Sequence, residues 1–303
     1  MIVVLRHRFI SFAVTLWTLA SVLPVSAGQY EDAEAAINNG DYLTALRLLG
    51  TLADQDNTYA ERLLGTMYIK GRGVPQDYGL GMRWMRIAAG KGLADAQNEM
   101  GILYQRGLGA ERNEAEAVKW FRLAADQGLV LAQNNLADAY ALGLGAPQDF
   151  GEALKWYRLA ADQSSSYAEN VIGVAYEHGL SVAQDDAEAF RWYRRAANKI
   201  YERPGDTWIH SPQYNIGAMY ASGRGTAQDY LQALMWFTLA AAFGDTKPPD
   251  PLGIKLVDTS KYTALEQRDR LVALMTSAQI TEAERLAHEW RPHPIVTIER
   301  REK

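Results

Sequence analysis

The sequence predicts an all-α chain: a right-handed α-solenoid of stacked helix-turn-helix repeats, with further helices capping both ends. Three observations carry that expectation. Trp84, Trp120, Trp156 and Trp192 stand 36 residues apart, and Trp236 follows after 44. Tyr68, Tyr104, Tyr140, Tyr176 and Tyr220 keep the same register, as do Gly71, Gly107, Gly143, Gly179 and Gly223. Paired alanines end each unit: Ala88-Ala89, Ala124-Ala125, Ala160-Ala161, Ala196-Ala197 and Ala240-Ala241. A fixed period of this length marks a unit that cannot bury its own apolar face and has to stack on copies of itself.

Composition is consistent with such a stack. The 303 residues are 48% hydrophobic and 10% aromatic, enough for a packed core. Lysine and arginine number 31 against 36 acids, a net charge of −5 with no run of like charge, so no nucleic-acid partner is expected. The absence of cysteine excludes disulfide frameworks, thiolate zinc sites, iron–sulfur clusters and cysteine nucleophiles together.

Residues 1–27 have the layout of a secretory signal peptide. Arg6, His7 and Arg8 precede an apolar run from Phe9 to Leu23, then small residues lead to a cut after Ala27. The run is too short to span a bilayer, so the mature chain is expected to be periplasmic or secreted, without a membrane span and monomeric. Losing Arg6 and Arg8 takes its charge to −7.

Residues 28–56 form a degenerate N-terminal capping hairpin in which Asp41 and Ala53 keep the period and Leu48 replaces the Trp. Five repeats follow over 57–92, 93–128, 129–164, 165–211 and 212–243. First helices are expected near 57–70, 93–106, 129–142, 165–178 and 212–222. Each ends at its Gly column, where a positive φ stops a helix. Second helices are expected near 78–90, 114–126, 150–162, 186–198 and 230–243. Asp77, Asn113, Asp149, Asp185 and Asp229 cap their N-termini with a short side-chain acceptor. Small residues three before each Trp and alanines four and five after it let a neighbouring helix approach closely. The 44-residue interval places an insert at 199–212. From 244 to 303 the sequence predicts a proline linker, Lys247-Pro248-Pro249-Asp250-Pro251, then two capping helices near 260–275 and 277–290, the second opened by Thr276-x-x-Gln279.

The run Leu64-Gly65-x-x-Tyr68-x-x-Gly71-x-Gly73-Val74-x-x-Asp77, then Trp84-x-x-x-Ala88-Ala89, resembles the Sel1-like repeat, a relative of the tetratricopeptide repeat. The resemblance covers about residues 57–243. It implies a protein-interaction scaffold, with partners that differ from member to member. Some relatives have been described as β-lactam-binding or β-lactamase-like, which makes nucleophile motifs worth seeking.

None is found. No serine has a lysine three residues on, Lys-Thr-Gly and G-x-S-x-G are missing, and no Gly-x-Gly extends to G-x-G-x-x-G. His178, His210, His288 and His293 form no H-x-x-x-H pair. No catalytic residue, metal or cofactor is therefore assigned, and the chain is not expected to be an enzyme. The Trp and Tyr columns recur identically at the packing period and so belong to the core.

Partner-binding candidates are the positions that vary. Three before a small-residue column within the first helices, Gly65, Gly101, Ala137, Gly173 and Gly217, stand Arg62, Asn98, Asn134, Asn170 and Tyr214, and Asp138 follows that column in the third repeat. With the first helices on the concave side they would form a polar ladder facing a protein or peptide. The insert contributes Tyr201, Arg203, Trp208 and His210, residue types that dominate interface hot spots. Trp208 alone among the tryptophans lies outside leader, repeat and cap. The expected function is an exported scaffold that binds through the concave surface and the 199–212 loop. The alternative is a small-molecule or cell-wall-fragment binding protein or hydrolase, using the groove between repeats four and five.

Overall fold

A computed structural model describes residues 28–198, 211–242 and 263–290. Among them are fourteen helices and no strand. The N-terminal hairpin is α1 (Gln29–Asn38) and α2 (Tyr42–Asp54). The five repeats follow as α3 (Thr58–Lys70) with α4 (Tyr78–Gly90), α5 (Ala94–Arg106) with α6 (Glu114–Asp126), α7 (Val130–Leu142) with α8 (Phe150–Asp162), α9 (Ser166–His178) with α10 (Asp186–Ala197), and α11 (Ser211–Ser222) with α12 (Tyr230–Ala242). The C-terminal pair is α13 (Ala264–Val272) and α14 (Ser277–Glu289). The insert and the proline linker fall outside the described residues.

The local signals work as the sequence implies. Asp77, Asn113, Asp149, Asp185 and Asp229 each accept from the backbone N–H three residues on, at 2.8–3.0 Å. Gly71, Gly107, Gly143 and Gly179 end their helices in the left-handed conformation. Thr276 and Gln279 form the expected capping box, and Thr263 with Glu266 form a second one that starts α13. Trp290 meets Trp236 edge to face at 5.8 Å, so the C-terminal pair closes the last repeat.

The core differs from the expectation in both aromatic columns, and Tyr68, Tyr104, Tyr140, Tyr176 and Tyr220 are all half-buried. Trp156 and Trp236 are buried, but Trp84, Trp120 and Trp192 are only half-buried. The largest fully buried side chain of each second helix is its neighbour: Met85, Phe121, Tyr157, Tyr193 or Phe237, none more than 1% exposed. The reason is close approach. A Cβ at Gly101 would lie 2.4 Å from the Phe121 ring, and one at Gly173 2.6 Å from the Tyr193 ring. The glycine column of the first helix is the seat of the ring that follows the Trp.

The second glycine of the turn sets the stacking step. A Cβ at Gly109 would meet the Tyr78 carbonyl oxygen at 2.3 Å, at Gly145 that of Glu114 at 2.1 Å, and at Gly225 that of Asp186 at 2.1 Å. Each turn thus rests on the start of the second helix one repeat earlier. Ser181, in place of the glycine, is held at φ 56.

Candidate functional site

The first helices do not present the predicted ladder to solvent. Asn98, Asn134, Asn170 and Tyr214 are buried, from 3 to 8% exposed. Buried amides need partners, and these find them in adjacent repeats. Asn135 Nδ2 donates to Asn98 Oδ1 at 2.8 Å, Asn134 Nδ2 to Ser165 Oγ at 3.0 Å, and Asn215 Nδ2 to Asn170 Oδ1 at 3.3 Å. Tyr214 packs on Phe237 and accepts from Gln267 Nε2 of the C-terminal cap at 3.4 Å. These four positions join neighbouring units and do not face a partner. Arg62 and Asp138 are half-buried and reach the surface. Tyr201, Arg203, Trp208 and His210 lie outside the described residues.

One position earlier on the same helices runs a second column, Glu61, Gln97, Gln133, Glu169 and Gln213, all buried. Its chemistry is matched to the end of the second helix. Lys91 Nζ donates to Glu61 at 2.8 Å, whereas Gln127 donates to Gln97 at 2.7 Å and Gln163 to Gln133 at 3.0 Å. Glu169 is paired with Arg195. Acid meets base and amide meets amide, so no charge in this column is sealed away alone. The coupling could have been read from the sequence by comparing residues 30 apart: Glu61 with Lys91, Gln97 with Gln127, Gln133 with Gln163.

Two tyrosines of the ring column carry polar contacts that the other repeats lack. Tyr193 donates to Glu177 Oε2 at 2.7 Å, and Glu177 also receives Arg224 from the next repeat. Tyr157 donates to Asp138 Oδ1, which also accepts from Tyr167 at 2.7 Å; the two rings cross edge to face at 6.2 Å. Asp138 thus joins α7, α8 and α9. Among the described residues its surroundings supply hydroxyls and no cation, and burial pushes its carboxyl up to about 6 against the hydroxyls' opposing pull. The same burial, with the carboxylate beside them, raises both tyrosines well above their ordinary range.

No group of three or more His, Asp or Glu among the described residues could hold a metal ion. None of the described helices is long and apolar enough to cross a membrane.

A family model for the Sel1 repeat matches residues 58–93, 94–129, 130–165, 166–200 and 213–245, and passes over 201–212. Among solved structures, a protective antigen of uropathogenic Escherichia coli displaying an SLR fold has a TM-score of 0.70 and 31% identity, covering 84% of this chain and 51% of that one. The chain spans about half the length of that antigen. A Sel1 repeat protein from Oxalobacter formigenes has a TM-score of 0.65 and 30% identity, covering 72% of this chain and 86% of that one. No curated protein matches at a significant level. Proteins of this family are generally non-catalytic scaffolds for protein interaction. With its repeats matched in register and its fold shared with these relatives, the chain belongs to the Sel1 repeat family.

Proposed function

We propose that the chain is an exported scaffold that holds a protein or peptide partner on its first-helix face, with the 199–212 segment as a second contact. The observation that carries this reading is the division of labour among its residues. The periodic columns are consumed by packing and by repeat-to-repeat hydrogen bonds, whereas Asp138 breaks the repeat pattern and still reaches the surface. Stacked repeats build an extended binding surface, and a residue that departs from the pattern marks one point on it. Export is supported by the basic, apolar and small-residue order of residues 1–27. Within the insert, Tyr201, Arg203, Trp208 and His210 are side chains of the kind that anchor interfaces.

Affinity capture from an envelope fraction with residues 28–303 as bait tests the reading. One partner is expected to be enriched by the wild type and depleted by Trp208→Ala, by Tyr201→Ala or by Asp138→Asn. Enrichment of no protein over a bait of unrelated repeats would count against a scaffold. Equal recovery by all three variants would move the contact elsewhere.

A further inference from the structure

Asp138 differs from the buried carboxylates. Glu61 has Lys91 at 2.8 Å, Glu169 has Arg195, and Glu177 has Arg224. In each case the chain provides the cation that offsets the cost of taking a charge out of water. For Asp138 the described chain provides two phenol hydroxyls instead, both on Oδ1. These orient the carboxylate and neutralise none of its charge. The residue is also only partly covered, whereas Glu61 and Glu169 are 1% and 0% exposed, so part of its surface is accessible from outside.

We infer that Asp138, clamped by Tyr157 and Tyr167, is a docking point for a lysine or arginine side chain of a protein partner. The inference rests on the scaffold reading and names the chemistry that the scaffold recognises. Four features favour a cation over other occupants. The acceptor is oriented before the partner arrives, which lowers the ordering cost of binding. Its setting is partly dehydrated, which strengthens a charge-assisted hydrogen bond. The carboxyl is held at about 6 by burial, the condition that an arriving positive charge relieves. The net charge of −5 draws cationic segments toward the molecule.

The probes are three capped pentapeptides, Gly-Gly-Arg-Gly-Gly, its lysine counterpart and its citrulline counterpart, which keeps the shape of arginine without the charge. Each is titrated at pH 7.5 into the isotopically labelled chain and followed by amide chemical shifts. The arginine and lysine peptides are expected to move the amides of residues 138 and 167 saturably, and the citrulline peptide is not. Asp138→Asn, which keeps the shape and both hydroxyl contacts, should weaken the arginine peptide by about tenfold or more. Tyr167→Phe, which keeps the charge, should weaken it only a few-fold. Equal binding of arginine and citrulline, unchanged affinity in Asp138→Asn, shifts confined to other repeats, or no shift at millimolar peptide would each overturn the inference. A partner captured equally by wild type and Asp138→Asn would do the same while leaving the scaffold reading intact.

Discussion

Tyr157 and Tyr193 occupy the same position in adjacent repeats, and each hydroxyl donates to a carboxylate of the helix before it. Beyond that the two sites diverge. In repeat four, Glu177 is 7% exposed and receives Arg224 from repeat five, so the charge is sealed and answered within the chain. In repeat three, Asp138 stays half-buried and is answered by a second hydroxyl, that of Tyr167. The difference teaches that one packing position serves two ends. A compensated carboxylate fastens two repeats together. One that meets only hydroxyls among the described residues keeps its charge unanswered by them.

The largest break in this comparison should come from repeat four. Arg224→Met leaves Glu177 buried beside Tyr193 without its cation. Removing one partner of a buried pair costs about 3–5 kcal/mol, and because Arg224 is 35% exposed, about 3 is expected, read as a loss of stability in urea unfolding. Restoring a neutral pair with Glu177→Gln in the same chain should recover most of it.

Repeat three should instead respond to pH. The Asp138 carboxyl titrates at about 6 in the folded chain and at its ordinary 3.8 when unfolded, so between these values the folded state holds the extra proton. Its contribution is therefore fully present below about pH 4 and lost as pH rises through 6, a change of roughly 2–3 kcal/mol. Asp138→Asn should flatten that part of the stability profile and raise stability at pH 8. An unchanged profile in the variant would assign the slope to other groups.

A smaller effect is expected where the rings are seated. Gly173→Ala places a methyl against the Tyr193 ring, at a cost of about 1–2 kcal/mol after the gain in helix propensity. Repeat three already carries that methyl as Ala137, fully buried, so Ala137→Gly tests the same seat in the opposite direction. Smallest of all, Ser181→Gly relieves a side chain held at φ 56. It should stabilise by about 0.5 kcal/mol, visible as a slight rise in melting temperature.

Much of this architecture was legible in the amino-acid order. Period, helix starts and helix ends all rest on local chemistry: a carboxylate capping a first turn, a glycine stopping a last one. The observed helices accordingly begin and end within a residue or two of expectation through all five repeats. What the order did not disclose depends on neighbours one repeat away. The side chain that follows each Trp varies between Met, Phe and Tyr, so it forms no column of identical letters even though a large apolar body is kept. The asparagines looked like surface residues because polar side chains usually are. Only the stacked structure shows Asn98 meeting Asn135, and Asn134 meeting Ser165, across a repeat boundary. Asp138 was visible as an irregular letter, but its two tyrosines come from other helices.

The turn glycines bear on how such a chain can change. Gly225 rests on the start of α10 just as Gly145 rests on the start of α6, although eight more residues separate the fourth Trp from the fifth. The step from one unit to the next is therefore insensitive to the length of the strand of chain that joins them. Lengthening a connection costs little, about 0.6 kcal/mol for each doubling. The junction between repeats four and five is thus a place where chain can be exchanged, grown or trimmed while the pitch of the array, and the seam that Glu177 and Arg224 make across it, stays as it is.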